Sequence, residues 1–394
     1  MADYIPFVNG IADYKAFTAH YRDSCMVRIP LEQINRIGSQ IPGNAPLWLD
    51  AGIDGYEHSL RQRAPWSSWA SYIGHFRENT LLTTEGSVKN PDKEKVKSFV
   101  WSVLDKCKEL SPKWITVPQL PVIEGNSRNK VNRALARAAY DWKVAKGFGG
   151  EFVLPLIFTH QEQVRIKTNW MPKLQAARKY CTDAQASLVW VVDSSLYDQD
   201  GTGTFPKRFA ALVSFHEDLR GLFLQERVIA GPYWGMNLVL WARGLSEYPG
   251  VSLGTGYQYR LSGSPPRSKG KRKSRIALAP LRRRAVMGAE LKTWLETAIN
   301  SLNPKYEAYK QLLRLKQHAE SLETRDASRR QTAEAYKNWF HSIQQVPPVA
   351  RALTLYQDLS LAYVLGKQLP PLPKSEGPGR DPSIVAQQLM LNCL

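Results

Sequence analysis

The sequence has few cysteines and no long apolar run. Its four cysteines lie far apart, without a CxxC or CxC pair, at Cys25, Cys107, Cys181 and Cys393. This spacing excludes a paired-cysteine zinc site and a disulfide framework, and it indicates reduced, mostly buried thiols. No apolar run approaches the roughly 18 residues of a transmembrane helix, and the N-terminus MADYIPFVNGIADY carries no secretory signal pattern. A cytoplasmic protein that does not enter membranes is therefore expected.

Catalytic motifs with a short sequence signature are also missing. The chain has no P-loop, no GxSxG elbow and no HExxH helix, which argues against an NTPase, an esterase and a zinc peptidase. No GxGxxG follows a first strand, which argues against dinucleotide binding. The histidines are scattered and form no ligand cluster. No metal and no cofactor are expected.

Positive charge, in contrast, is abundant. The 394 residues include 53 Lys and Arg against 35 Asp and Glu, a net charge of +18, and 43% of them are hydrophobic. The hydrophobic content suffices for a packed core. A polyanion such as DNA or RNA is the usual partner of such a surplus, because neutralised phosphates release counterions. Nucleic acid is therefore the predicted partner, and a merely basic, soluble protein is the alternative.

Short apolar runs with helical segments between them recur up to about residue 280. Runs of this kind predict strands buried on both faces. The predicted strands are Pro46–Ala51, Trp114–Pro118, Phe152–Phe158, Leu188–Asp193, Arg227–Gly231, Val251–Gly254 and Arg275–Ala279, with Ile5–Val8 as an eighth. The alternation predicts an α/β fold, a (β/α)8 TIM-like barrel over residues 1–285, with a doubly wound open sheet as the main alternative.

Beyond about residue 285 the pattern becomes helical. Apolar residues recur at helical spacing in Ala289–Ser301, Tyr306–Leu322, Thr332–Gln344 and Val349–Leu365. These segments predict a C-terminal helical layer over residues 286–367 that packs on the barrel. Residues 368–394, which include PPLPKSEGPGRDP, predict a flexible tail ahead of a short final helix.

Carboxylates stand at two predicted strand ends, and the active site of a parallel barrel lies at the C-terminal ends of its strands. The segment LDAGIDGY places Asp50 at a strand end and Asp54 just beyond it, and LVWVVD brings Asp193 to another. An Asp is costly to bury there unless it is hydrogen-bonded or functional. Asp50 and Asp193 are predicted to serve as nucleophile and general acid/base on a glycosidic bond, with Asp54 as a further catalytic candidate. Metal binding by the same pair is the alternative, although no histidine cluster completes such a site. Capping of a turn or helix is the alternative for Asp50 and Asp54.

Aromatic and amide side chains follow other strand ends. Aromatic rings at a barrel mouth can stack on a nucleobase held outside its helix, whereas ordinary packing beneath the helical layer is the alternative. The predicted base-pocket residues are Tyr56, Gln119, Tyr233, Trp234, Asn237 and Tyr257.

Basic residues cluster in Pro265–Arg284, a segment without any acidic residue. A loop of this kind is predicted to hold phosphates that flank a bound base. A solvated charge run or a nuclear localisation tag is the alternative. The predicted phosphate-binding residues are Arg267, Lys269, Lys271, Arg272, Lys273, Arg275, Arg282, Arg283 and Arg284.

The strand LDAGIDGY resembles the Asp-Ser-Gly-Gly-Phe-type strand of the tRNA-guanine transglycosylase superfamily. IAGPYWGMN and LGTGYQYRL are similar to Gly-rich strand ends of its divergent members, which include a phage-defence DNA glycosylase; the resemblance covers about residues 45 to 285. It implies a barrel that breaks an N-glycosidic bond with two aspartates, one attacking the sugar C1′ and one doing acid/base work. Asp50 matches the acid/base motif, and Asp193 stands in for the nucleophile by its strand-end position.

Two departures from that superfamily narrow the expected activity. The CxCxxC-plus-His zinc site and the usual nucleophile motif are both absent, which disfavours tRNA base exchange and leaves base removal by water. The expected protein is a DNA glycosylase that takes up an extruded, modified base and leaves an abasic site, with the resemblance implying a role in antiviral defence. A transglycosylase that exchanges a base in DNA or tRNA and a non-catalytic nucleic-acid-binding protein are the alternatives.

Overall fold

Eight parallel strands close into a barrel in the computed structural model, which describes residues 4–19, 26–33, 37, 40, 46–51, 92–121, 126–158, 164–193, 206–253 and 274–394. Each strand pairs with its neighbour in sequence, and β8 pairs with β1. The strands are β1 (Ile5–Phe7), β2 (Val27–Pro30), β3 (Leu47–Asp50), β4 (Trp114–Thr116), β5 (Glu151–Phe158), β6 (Leu188–Asp193), β7 (Arg227–Ala230) and β8 (Tyr248–Ser252). The predicted TIM-like barrel is confirmed.

Helices alternate with these strands and cover the outside of the barrel. They are α1 (Ile11–Thr18), α2 (Lys93–Lys108), α3 (Asn126–Ala145), α4 (Lys167–Ala184), α5 (Pro206–Leu222) and α6 (Met236–Ala242). The sequence of α2 shows why a helix forms here. Asp92 caps its start by accepting a hydrogen bond from the Glu94 N–H at 2.9 Å. Its buried side chains recur every three or four residues and pack inward as one apolar face.

The strand interiors converge on a set of aromatic rings inside the barrel. We call Phe7, Trp48, Trp114 and Trp190 the aromatic layer; all four are buried. The Trp48 ring lies edge-on to the other three, with centroid separations of 5.5 Å to Phe7, 6.2 Å to Trp114 and 5.1 Å to Trp190. Edge-on packing of this kind is favourable for aromatic pairs. The barrel is therefore filled rather than hollow below its C-terminal end.

Two strands differ from the sequence prediction. The barrel contains β2, a VRIP segment that was not predicted because an arginine interrupts it and a proline ends it. Arg275–Ala279 was predicted as a barrel strand, whereas β9 (Arg275–Leu278) pairs antiparallel with β10 (Arg283–Val286) in a separate hairpin. The hairpin packs in a second core, so the barrel strands end at Ser252 rather than near residue 285.

The C-terminal region forms the predicted helical layer. Its helices are α7 (Ala289–Asn300), α8 (Glu307–Gln317), α9 (Arg325–Gln344), α10 (Arg351–Gln368) and α11 (Ile384–Met390). The stripe of Tyr336, Trp339, Phe340 and Ile343 on α9 is buried, as predicted. Among the residues that the structure describes, no helix is both long and apolar enough to cross a membrane.

The end of the chain is packed, which differs from the predicted flexible tail. Leu372, Val385 and Leu389 are buried, and α11 contacts α10. The Pro- and Gly-rich composition suggested a linker, but these apolar residues anchor the segment. The predicted short terminal helix is confirmed as α11.

A buried histidine on α5 gives a pH-dependent stability prediction. Burial lowers the pKa of His216 to about 4, and its Nδ1 lies 2.9 Å from the Leu212 carbonyl oxygen. The unfolded chain, with a pKa near 6.5, binds the proton more readily, so stability falls as the pH drops through this window. Urea unfolding from about pH 7 to about pH 5 is expected to show a loss of about 2 kcal/mol that His216→Phe removes. His318→Phe, at an exposed position, should leave this loss intact. If wild type and His216→Phe lost the same free energy of unfolding between these two pH values, the assignment of the loss to His216 would be contradicted.

Candidate active site

A buried ion pair stands at the C-terminal end of β2 and β3. The Asp50 carboxylate pairs with the Arg28 guanidinium, and both side chains are about 1% exposed. In the parallel register Arg28 lies beside Trp48, and Asp50 lies beside Pro30. The two residues are therefore diagonal to each other on neighbouring strands, and the long Arg28 side chain reaches Asp50. The predicted strand-end aspartate is thus inside the barrel, with its charge compensated.

Arg28 is held from two sides. Its Nη1 donates to Asn9 Oδ1 at 2.9 Å, and its guanidinium lies over the rings of Phe7 and Trp190, 5.2 and 5.6 Å from their centroids. Cation–π contacts stabilise a desolvated guanidinium. We call Asn9, Arg28 and Asp50 the mouth cluster. Sequence reasoning missed Asn9 and Arg28; the signal for Arg28 was a charged residue within an otherwise apolar four-residue run.

The second predicted aspartate stands at the same end of the barrel. Asp193 ends β6, and its backbone pairs with Phe158 of β5. Its side chain lies outside the described residues, so its pairing with Asp50 across β4 and β5 stays a prediction. The other predicted residues outside the described part are Asp54, Tyr56, Tyr257, Arg267, Lys269, Lys271, Arg272 and Lys273.

Gln119 lies just beyond β4, also at the C-terminal end. Its Nε2 donates to the carbonyl oxygens of Pro118 and Asn132 at 2.9 and 3.1 Å. The Asn132 side chain in turn binds both backbone polar groups of Leu120, which ties this loop to α3. Gln119 is 1% exposed, and its Oε1 has no hydrogen-bond partner within the described part of the chain. A buried amide oxygen of this kind needs a partner, which a ligand, a water molecule or a residue outside the described part can supply.

Three residues predicted to line the base pocket are buried beneath the helical layer. Trp234 donates its Nε1–H to the Arg282 carbonyl oxygen at 3.0 Å, and its ring packs against Tyr336. Asn237 donates to the Gly250 carbonyl oxygen and to Tyr336 Oη at 2.6 and 2.7 Å. Tyr233 is 5% exposed. For Trp234 and Asn237 these contacts correct the prediction, because the Arg282 and Gly250 carbonyl oxygens and Tyr336 of α9 already accept their N–H groups.

The triple-arginine run is not a phosphate-binding surface. Arg283 and Arg284 are 0% and 2% exposed. Arg283 donates to the carbonyl oxygens of Gly379 and Asp381 at 2.9 and 3.0 Å, and Arg284 lies over the Trp234 ring. These two predicted contacts are wrong because β10 turns the side chains into the helical layer, where Arg283 contacts carbonyl groups and lies 3.7 Å from the Glu376 carboxylate, and Arg284 contacts a ring.

Two further arginines of the predicted set are partly exposed but paired. Arg282 forms an ion pair with Asp358 and lies over the Trp339 ring. Arg275 lies 3.7 Å from the Glu376 carboxylate. Their charges are largely compensated within the fold. The other basic residues of the predicted segment, which precede Ser274, lie outside the described part of the chain.

A cleft of about 1370 Å³ opens among α8, α9 and α10. Its ionised lining residues are three arginines and three carboxylates, which sum to no net charge: Arg282, Arg314, Arg330, Glu307, Glu334 and Asp358. A balanced lining gives a polyanion no electrostatic preference for this cleft. The mouth of the barrel remains the better candidate site.

The described cysteines are inert thiols. Cys107, Cys181 and Cys393 are buried and unpaired. Burial raises the pKa of Cys107, and it raises the pKa of Cys181 and of Cys393 to about 12. A thiol with a raised pKa is a poor nucleophile. None of these three residues is therefore a candidate nucleophile.

The function has to be argued from the site itself. Compared with models of protein families and with curated proteins, the sequence matches none. In the parts of the chain that the structure describes, no three His, Cys, Asp or Glu side chains gather as a metal site would require. The chemistry available at the described mouth is therefore that of a carboxylate, a guanidinium and amide groups.

Proposed function

We propose that the protein is a nucleic-acid glycosylase that acts on DNA and removes an extruded base at the C-terminal mouth of its barrel. The observation that carries the proposal is the buried Arg28–Asp50 ion pair at that mouth. Barrel enzymes place their reacting groups at this end. A carboxylate kept there at the expense of desolvation is a functional candidate rather than a structural need.

Hydrolysis of an N-glycosidic bond suits a carboxylate of this kind. The bond between C1′ and the base nitrogen breaks, the electron pair leaves with the base, and the base takes up a proton. The oxygen of water bonds to C1′ and gives up its proton. An anionic Asp50 can face the positively charged sugar or accept the proton of the attacking water. In this proposal Asp193 serves the other step from the end of β6.

The partner is proposed from charge. A net charge of +18 favours a polyanion, and the run from Arg267 to Lys273 holds five basic residues without an acidic one. A base inside a duplex cannot reach a barrel mouth, so the target has to be extruded or single-stranded. The Gln119 amide oxygen is proposed to accept a hydrogen bond from the extruded base.

Release of free base is the direct test. DNA with natural or modified bases is incubated with the protein, and free bases and abasic sites are measured in the same sample. We expect equal amounts of both, and binding that weakens at least tenfold between about 50 and about 200 mM salt. Incorporation of a labelled free base would instead indicate base exchange. Binding without release from DNA or RNA would favour the non-catalytic alternative.

A further inference from the structure

An ion pair joins the first barrel helix to the helical layer. Arg329 on α9 places its Nη1 3.0 Å from Asp13 Oδ1 on α1, and the two side chains are 10% and 3% exposed. Burial raises the pKa of Asp13, whereas the Arg329 guanidinium and the Asn9 N–H act in the opposite direction. Burial likewise lowers the pKa of Arg329, so the pair offsets only part of the desolvation of the two charges at the contact between α1 and α9.

The second oxygen of Asp13 continues the contact towards the mouth. Asp13 Oδ2 accepts a hydrogen bond from the Asn9 backbone N–H at 3.2 Å. The Asn9 side chain accepts one from Arg28 Nη1 at 2.9 Å, and Arg28 pairs with Asp50. We call Arg329, Asp13, Asn9, Arg28 and Asp50 the polar chain; it runs from α9 to the proposed reacting carboxylate through an ion pair at each end and hydrogen bonds to Asn9 between them.

The polar chain alternates in charge around a neutral asparagine. The link between β1 and α1 that carries Asn9 is short, so Asp13 fixes the Asn9 backbone and thereby the direction of its side chain. Hydrogen-bonded partners of this kind orient the group that reacts. A barrel helix could be held on the helical layer by apolar contacts alone, and a buried ion pair adds orientation more reliably than stability.

We propose that Asp13 and Arg329 are positioning residues through which the C-terminal helical layer orients Arg28 and Asp50. The effect on turnover rests on the proposed glycosylase activity, whereas the effect on the geometry of the mouth does not. Trp190 reports that geometry, because the Arg28 guanidinium lies 5.6 Å from its ring centroid and its indole N–H is bound to the Gly231 carbonyl oxygen.

The test compares Arg329→Met with the double variant Asp13→Asn/Arg329→Met, which leaves no buried charge unpaired and keeps the fold testable. Glu226→Gln is the control, since it removes a buried carboxylate that pairs with the partly exposed Arg178 at the opposite end of the barrel. The readouts are kcat and KM for base release, and the indole N–H resonances of Trp190 and Trp142. Trp142 is bound to Asp105 on the outer helices and serves as the internal reference.

Both Arg329 variants are expected to lower kcat about tenfold to hundredfold with little change in KM. They should shift the indole N–H resonance of Trp190 and leave that of Trp142 unchanged. Glu226→Gln should change neither kcat nor the Trp190 resonance. An unmoved Trp190 resonance and unchanged kcat in the double variant would overturn the inference. A moved Trp190 resonance in a protein whose wild type releases no base would support the polar chain and reject the proposed function.

Discussion

Asp50→Asn is expected to lower the rate of base release by about 10³-fold or more. The substitution keeps the shape of the side chain and an acceptor oxygen for Arg28, but it removes the negative charge that, in the proposed reaction, faces the sugar cation or takes the proton from water. Arg28 keeps its contacts to Asn9 and to the two rings. The folded structure is therefore expected to persist, and single-turnover release of the base measures the chemical step alone.

The matched control for this change is Asp183→Asn. Asp183 lies near the C-terminal end of α4, and its side chain is 14% exposed and pairs with Arg133. The variant therefore loses one carboxylate charge outside the mouth. Release should stay within about twofold of wild type. Substantial release by Asp50→Asn, with a functional wild type, would move the reaction away from the mouth cluster. DNA binding is expected to be retained in both variants, which separates chemistry from association.

The sequence was most informative where a strand is long and apolar. β5 and β6 were predicted closely, because their runs are buried on both faces and end at turn residues. β2 was missed, because four residues with one arginine and one proline show no strand pattern. Its partners in β1 and β3 define it, and that information is not local. The β9 run was correctly predicted as a strand. Its pairing with β10, however, depends on a segment whose composition indicated an exposed basic loop.

The site residues also divide into those set by local sequence and those set by contacts between distant segments. Asp50 could be predicted, since a carboxylate at the end of a buried strand is costly without a role. Arg28 and Asn9 could not, because their relation to Asp50 is set by the strand register. Arg283 was misassigned as a surface cation; the carbonyl groups of Gly379 and Asp381 that it binds lie nearly a hundred residues later in the chain.

Arg28→Met is expected to cause the largest loss of stability, about 3–5 kcal/mol in urea unfolding at neutral pH. The methionine fills much of the space above Phe7 and Trp190, but it leaves the Asp50 carboxylate buried without its guanidinium. The double variant Arg28→Met/Asp50→Leu removes both charges and should recover most of the lost free energy of unfolding while remaining inactive. That combination distinguishes an unpaired charge from a simple cavity.

A surface ion pair provides the scale for this effect. Lys106→Met breaks the pair with Glu109, whose side chains are 24% and 57% exposed, and should cost less than about 0.5 kcal/mol because water solvates the remaining carboxylate. If Arg28→Met cost no more than this, Asp50 would have to be solvated or neutral in the folded protein. A desolvated carboxylate kept at the mouth for chemistry would then be contradicted, even if the barrel and its ion pair were unchanged in every other respect.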